Sequence, residues 1–115
     1  MKLEKGAVLG NTTMLVLKLL ETKDMYGYQI IEELSAKSGE VFRLKTGTLY
    51  PLLHKLENDG MVTSYDENAD NLRVRRYYRL TTKGKGLLAQ KAQEWTLYTN
   101  AVGRIMKVGD VHAYA

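Results

Sequence analysis

Basic residues gather in two stretches of the chain that contain no acidic side chain. The first stretch runs from Arg43 to Lys55 and the second from Arg73 to Lys85, whereas acids cluster elsewhere, as at Glu32 and Glu33. Lysine and arginine neutralise phosphate groups, and such local clusters indicate a polyanion partner better than the total charge does. The formal net charge of +4 adds only mild support.

The first basic stretch has the pattern of one amphipathic helix, from about Thr46 to Asp59. Its apolar residues lie at i, i+3, i+4 and i+7, so they face a core; they are Leu49, Leu52, Leu53 and Leu56. Gly60 stands where a left-handed residue ends a helix. Pro51 lacks an N–H and is expected in or just after the first turn. The opposite face carries Gly47, Tyr50, Pro51, His54 and Asn58, flanked by Thr46, Thr48 and Lys55.

The second basic stretch belongs to a predicted β-hairpin. Its strands are expected at Val62 to Glu67 and Val74 to Leu80, with turn residues between them. Alternation places Arg73, Arg75, Tyr77 and Arg79 on one face and Val74, Arg76, Tyr78 and Leu80 on the other. We expect Val74, Tyr78 and Leu80 to face inward. Arg76 shares that inward face, so pairing with an acid is its alternative to phosphate contact. Arg73 and Arg75, near the tip, are therefore favoured for phosphate contact.

Two helices are predicted before these stretches. The first begins near Asn11, where small polar residues can cap it, and its apolar residues cover most of its circumference, which indicates a central position in the core. The second runs from Tyr26 to Gly39 with an apolar stripe at helical spacing. The segment from Val41 to Leu44 is expected to be a strand stub or an extended linker.

A final helix is predicted from a cap at Thr81 or Thr82 to about Met106. At about 1.5 Å per residue it is roughly 35–40 Å long, more than one small domain covers. Its seam residues recur every seven positions, with a second set four later, and they are Leu88, Trp95 and Val102 with Ala92, Thr99 and Met106. Such a seam predicts a partner helix and hence a homodimer. The alternative is a helix folded back on its own core.

The composition excludes several classes of protein. With 115 residues the chain is one domain with one appended element, and the absence of cysteine excludes disulfides and thiolate metal sites. This fits a reducing cytoplasm. No apolar run reaches the roughly 18 residues of a membrane span, and the N-terminus lacks a signal-peptide core. No phosphate loop, zinc spacing or nucleophile elbow appears, so we predict no catalytic residue, metal or cofactor.

Four segments together resemble the PadR family of bacterial transcriptional regulators. They are Met25-Tyr-Gly-Tyr-Gln-Ile30, Thr46-Gly-Thr-Leu-Tyr-Pro51, Leu56-Glu-Asn-Asp-Gly60 and Arg75-Arg-Tyr-Tyr-Arg-Leu-Thr-Thr-Lys-Gly84. The resemblance implies a mainly α fold with a small β-hairpin: a winged helix-turn-helix DNA-binding domain at residues 1–81. The helix at residues 82–107 is similar to the dimerisation helix of the family's short subgroup, and residues 108–115 would be a frayed tail.

The resemblance also implies which residues lie at the DNA surface. The matching positions of the third helix and its approach are Lys45, Thr46, Gly47, Thr48, Tyr50 and Pro51. We add His54, Lys55, Arg73, Arg75 and Arg76 from their placement, and the resemblance implies that the motif with Tyr26 and Tyr28 lies near the DNA backbone. Simpler interpretations remain open: Tyr50 packed on the hairpin, Thr46 as a helix cap only, His54 and the arginines as solvated surface, and the tyrosines Tyr26 and Tyr28 as boundary packing.

These expectations describe a homodimeric, cytoplasmic regulator that binds a double-stranded DNA operator, as a ligand-responsive repressor. Trp95, the only tryptophan, would lie on the dimer seam, where a planar aromatic effector could stack between two indoles. The alternative for Trp95 is a filler of the interface. The alternatives for the whole chain are a winged-helix module that binds protein, and a small-molecule-binding dimer without specific DNA function.

Overall fold

Four helices and a small sheet make up the parts of the chain that the structure describes. The computed structural model describes residues 5–68 and 73–107, with side chains from residue 11 onward. In chain order the elements are α1 (Lys5–Thr22), β1 (Met25–Tyr26), α2 (Gly27–Lys37), α3 (Thr46–Asn58), β2 (Val62–Asn68), β3 (Val74–Leu80) and α4 (Thr82–Met106). This order confirms the predicted winged helix-turn-helix architecture with an added C-terminal helix. The predicted hairpin tip and tail fall at 69–72 and 108–115, outside the described residues.

The start of α1 differs from the prediction. The helix begins at Lys5 rather than near Asn11, so the small polar residues that were expected to cap it lie inside it. Thr12 is buried there, with 3% of its surface exposed. Packing of the surrounding helix overrides the weak preference of threonine for helix ends.

The sheet contains a strand that sequence patterns did not predict. The two residues of β1 pair antiparallel with β3, Met25 opposite Tyr78 and Tyr26 opposite Tyr77, so β3 is the central strand. A two-residue strand is too short to show alternation. The hairpin pairing of β2 with β3 extends from Val62 opposite Leu80 to Asn68 opposite Val74.

The core lies between the helices and one face of the sheet. Its most deeply buried side chains come from α1, α2, α3, β1, β2 and β3, and they are Val16, Leu17, Met25, Ile30, Leu49, Leu53, Val62 and Tyr78. Leu80 is buried as predicted, but the inward orientation predicted for Val74 is wrong, because 61% of its surface is exposed. Alternation selects a face of the strand and does not show whether another element covers that face.

Left-handed glycines end the two helices of the helix-turn-helix unit. Gly39 follows α2 with φ +61° and Gly60 follows α3 with φ +80°, a conformation that costs glycine little. Both ends agree with the predicted boundaries. The segment between the helices, from Val41 to Lys45, contains no regular element, so it is the extended linker of the two predicted alternatives.

The start of α4 is fixed to the start of β2. The Thr81 hydroxyl accepts a hydrogen bond from the Gly84 N–H at 2.9 Å and donates to the carbonyl oxygen of Gly60 at 2.7 Å. Thr81 is therefore the N-cap of α4, one of the two cap residues that the sequence predicted.

Farther along α4, Leu88 packs in the protomer's own core with 5% of its surface exposed. Its assignment to the dimer seam is wrong, because the protomer's own core already covers it.

Candidate nucleic-acid interface

The third helix has one buried face and one exposed face, as its leucine spacing predicted. Leu49, Leu53 and Leu56 are buried, while Leu52 is half-buried against the core. The exposed residues of α3 and its approach are Lys45, Thr46, Gly47, Tyr50, Pro51, His54 and Lys55, and Thr48 is half-buried. The side chains predicted to contact DNA from this helix are thus accessible, except that Thr48 is only partly so.

The N-terminus of α3 offers free hydrogen-bond donors. Lys45 is the N-cap residue, and its side chain forms no cap hydrogen bond. Its carbonyl oxygen accepts from the N–H groups of Thr48 and Leu49, at 3.0 and 2.9 Å. Thr46 occupies the first helical position, so the interpretation of Thr46 as only a cap is wrong. The N–H groups of Thr46 and Gly47 lie in the first turn of α3, where a backbone N–H has no acceptor within the helix, so they can bind an anion.

The ring of Tyr50 lies against the beginning of α2. A Cβ atom added at Gly27 would come within 2.4 Å of the Tyr50 Oη and 2.6 Å of its Cζ. The outer edge of the tyrosine therefore occupies the space that a side chain at Gly27 would fill. About a third of Tyr50, 36%, remains exposed, so the residue both packs on α2 and presents a surface to a partner.

Farther along α3, a lysine already has an acidic partner. The Lys55 Nζ lies 3.0 Å from the Asp59 Oδ2 one turn later, and both side chains are well exposed. Exposed pairs of this kind contribute only about 0.3–0.5 kcal/mol. Lys55 can therefore exchange this carboxylate for a phosphate at little cost. His54 lies beside it on the exposed face.

A row of tyrosines crosses the outer face of the sheet and carries an arginine. Tyr26 of β1 contacts Tyr77 of β3 edge to face, and Tyr77 stacks on Tyr65 of β2, with centroid distances of 5.5 and 5.7 Å. The guanidinium carbon of Arg75 lies 4.4 Å from the centroid of the Tyr26 ring. This cation–π contact holds Arg75 against the sheet. Tyr26 is thus packed in the sheet, and Tyr28 is exposed at 56%.

Two other arginines of β3 are paired with acids. The Arg76 Nε donates to the Asp66 Oδ1 at 3.3 Å, which confirms the expected acid partner; this hydrogen bond raises the pKa of Arg76. The Arg79 Nε donates to the Asp24 Oδ2 at 3.0 Å, which raises the pKa of Arg79 in the same way. Asp24 also accepts from the Tyr65 hydroxyl at 2.7 Å. Arg79 therefore tethers the loop after α1 to the sheet.

Within the described part of the chain, Arg73 and Arg75 are the hairpin arginines that form no ion pair with a carboxylate. Arg73 is exposed directly after the tip, and Arg75 is half-buried beside Tyr26. They are the two hairpin arginines that the sequence favoured for phosphate contact.

Neighbouring residues at the start of α2 connect the two basic stretches. Tyr26 contacts Arg75 of the hairpin, and the next residue, Gly27, contacts Tyr50 of α3. Sequence patterns predicted each stretch separately and did not reveal this junction, because the contacts join residues far apart in the chain.

Comparison with known proteins identifies the family. The model of the "Transcriptional regulator PadR-like family" matches residues 16–90. The chain belongs to the PadR-like family of transcriptional regulators. A PadR-family regulator from Eggerthella lenta superposes with a TM-score of 0.77 at 30% identity, over 88% of this chain and 86% of that one. A transcriptional regulator from Clostridium thermocellum superposes with a TM-score of 0.81 at 30% identity, over 89% of this chain and 96% of that one. These relatives show that the chain has the fold of PadR-family transcriptional regulators.

Two curated relatives match the chain, and one of them is a transcriptional regulator. An uncharacterised protein of Lysinibacillus sphaericus is 33% identical over 76% of this chain and 81% of its own length. The transcriptional regulator Rv3488 of Mycobacterium tuberculosis is 39% identical over 58% of this chain and 59% of its own. The family consists of transcriptional regulators.

Among the described residues no group of acidic or histidine side chains could hold a metal ion, and no described helix is long and apolar enough to cross a membrane.

The C-terminal helix of this PadR protein exposes apolar side chains beyond the core. The exposed set on α4 is Trp95, Leu97, Tyr98, Val102, Ile105 and Met106. Trp95 stacks on Tyr98 of the same chain, with a centroid distance of 6.2 Å. Of the other predicted seam residues, Ala92 is exposed and Thr99 half-buried. Sequence reasoning missed Tyr98 and Ile105, although both continue the heptad of Trp95 and Val102.

Proposed function

We propose that this PadR-family protein is a homodimeric, sequence-specific DNA-binding repressor. The observation that carries the proposal is the junction at Tyr26 and Gly27, where the exposed face of α3 and the arginine-bearing strand meet. One element with base-reading side chains and one with phosphate-binding cations thereby belong to a single surface. A protein that regulates transcription works beside the chromosome, so we expect it in the cytoplasm.

In the proposed complex α3 lies in the major groove. The free N–H groups of Thr46 and Gly47 and the Lys45 ammonium would bind a phosphate at the groove edge. Tyr50 and His54 would contact base edges. Arg73 and Arg75 would bind the phosphate backbone beside the groove and add charge without sequence information.

Dimerisation is proposed through α4. From Ala89 to Val102 no residue is buried in the single chain, although Trp95, Tyr98 and Val102 in this interval follow heptad spacing and Ile105 continues it. Such a stripe is covered when two copies pair. Two α3 helices would then read half-sites about 34 Å apart, one helical turn of DNA.

An effector is proposed at the same helix. Trp95 stacks on Tyr98 and is still 42% exposed. A planar aromatic molecule would bind the part of the indole that Tyr98 leaves exposed, near the dimer axis. Binding should quench the only tryptophan and weaken operator binding by changing the distance between the α3 helices. Titration with a panel of planar aromatic cations and phenols tests this; Trp95→Ala should remove both effects and keep DNA binding.

The experiment that tests the proposed function begins with selection from a random duplex library by the purified protein. Enriched duplexes should share two related half-sites. Fluorescence anisotropy then compares an enriched duplex with a shuffled one: we expect binding to the enriched duplex to be at least about a thousandfold tighter. Binding that does not distinguish the two, or no enrichment, contradicts a sequence-specific regulator and favours the protein-interaction alternative.

A further inference from the structure

Gly27 is notable because of the space around it rather than its backbone conformation. It occupies the first position of α2 and is buried, and its φ lies outside the left-handed region that favours glycine. The three atoms nearest to an added Cβ all belong to Tyr50: Oη at 2.4 Å, Cζ at 2.6 Å and Cε1 at 2.8 Å. Real Cβ atoms do not approach other atoms so closely, so any larger residue must move the ring.

Glycine is otherwise a poor choice at this position. Alanine is the better helix former because glycine loses more backbone freedom on folding. No strand, turn or left-handed conformation at Gly27 requires glycine instead. The feature that does require it is the tyrosine ring, which rests on the backbone of the first turn of α2.

We propose that Gly27 is a positioning residue for DNA recognition: it lets the outer edge of the Tyr50 ring lie against α2 and thereby sets where Tyr50 meets the DNA. The inference rests on the proposed function of α3 and adds a residue that need not touch DNA itself. The ring is confined by α2 on one side, so its exposed third has a fixed orientation. A ring pushed off Gly27 would swing outward from α3 and lose its contact with the base edges.

A double-substitution cycle tests this role. The variants are Gly27→Ala, Tyr50→Ala and the two combined, each titrated against an enriched duplex and a shuffled duplex. Gly27→Ala should weaken binding to the enriched duplex at least about fivefold, which is the lower end of the range for loss of one specific contact. Its effect on the affinity for the shuffled duplex should be smaller. In the Tyr50→Ala background the same substitution should have no effect, because the ring it would displace is gone.

A matched control separates this effect from the general effect of replacing a helical glycine. Gly86 is exposed within α4, and a Cβ added there meets no atom within 4 Å. Gly86→Ala should leave both affinities unchanged. Thermal unfolding of all variants adds a second readout: Gly27→Ala should lower the Tm of the wild-type background and not that of Tyr50→Ala.

The outcomes distinguish this inference from the proposed function. Losses that add up in the double variant, or equal losses on both duplexes, overturn the positioning role of Gly27 while the protein remains a DNA-binding regulator. Gly27→Ala alone could fail to fold. The comparison of Tyr50→Ala with the double variant then still tests the positioning role, because that role requires these two variants to have the same DNA affinity and the same Tm. A wild-type protein that enriches no duplex overturns both proposals.

Discussion

Replacing Ile105 by alanine should weaken the proposed dimer strongly. Ile105 is 79% exposed in the single chain, and the spacing of Trp95, Tyr98, Val102 and Ile105 places it on the heptad seam. The substitution removes three carbons, worth about 0.8 kcal/mol each when fully buried. Scaled by the exposed fraction and counted in both chains of a symmetric dimer, the loss is about 4 kcal/mol, or roughly a thousandfold in dissociation constant.

Leu97 provides the matched control for this substitution. It is 70% exposed but lies two residues from Trp95, roughly 200° around the helix at about 100° per residue, and so faces away from the seam. Sedimentation equilibrium over a concentration series should show a weakened dimer for Ile105→Ala and an unchanged one for Leu97→Ala. Equal dimer stability in the two variants would refute the seam, and a monomeric wild type would refute dimerisation itself.

Three further predictions concern the sheet. Arg75→Ala should weaken binding to enriched and shuffled duplexes alike and reduce the salt slope by about 0.9 per lost phosphate contact; an unchanged slope in anisotropy titrations would exclude Arg75 from the interface. Tyr26→Phe should preserve DNA affinity because the ring under Arg75 remains, whereas Tyr26→Leu should lower it by about two- to fivefold, the equivalent of an exposed cation–π contact; equal losses would instead point to the Tyr26 hydroxyl. Burial raises the pKa of Tyr78 above its ordinary 10.0, so the unfolded state loses this proton first, and stability should fall as the pH rises above 10. Urea unfolding at increasing pH should show a shallower fall for Tyr78→Phe than for the wild type, and parallel curves would contradict this.

Periodic patterns predicted α3 well because one side of the helix alone meets the core. Leu49, Leu53 and Leu56 report that side directly, and the exposure of Lys45 and Tyr50 follows from it. The same reasoning could not distinguish two apolar residues of α4. Leu88 and Trp95 share a helical face, yet the first packs on its own core and the second is exposed, since periodicity identifies a face and not what covers it.

Contacts between distant parts of the chain were beyond the sequence. The strand β1 is two residues long, so its pairing with β3 left no pattern, and with it the contact of Tyr26 with Arg75 was missed. The need for glycine at position 27 comes from the ring of Tyr50, which only the packing of α2 on α3 brings there. Val74 has the alternation of an inward residue but is exposed, because alternation does not show which residues of a face are covered.

The salt dependence of DNA binding tests most directly whether the two basic stretches form one phosphate-binding surface. Anisotropy titrations of an enriched duplex at several potassium chloride concentrations give the slope of log affinity against log salt. With Lys45, Arg73 and Arg75 each neutralising one phosphate in both subunits, the slope should be about −5. A slope near zero, or no binding to any duplex at low salt, would contradict the proposed interface.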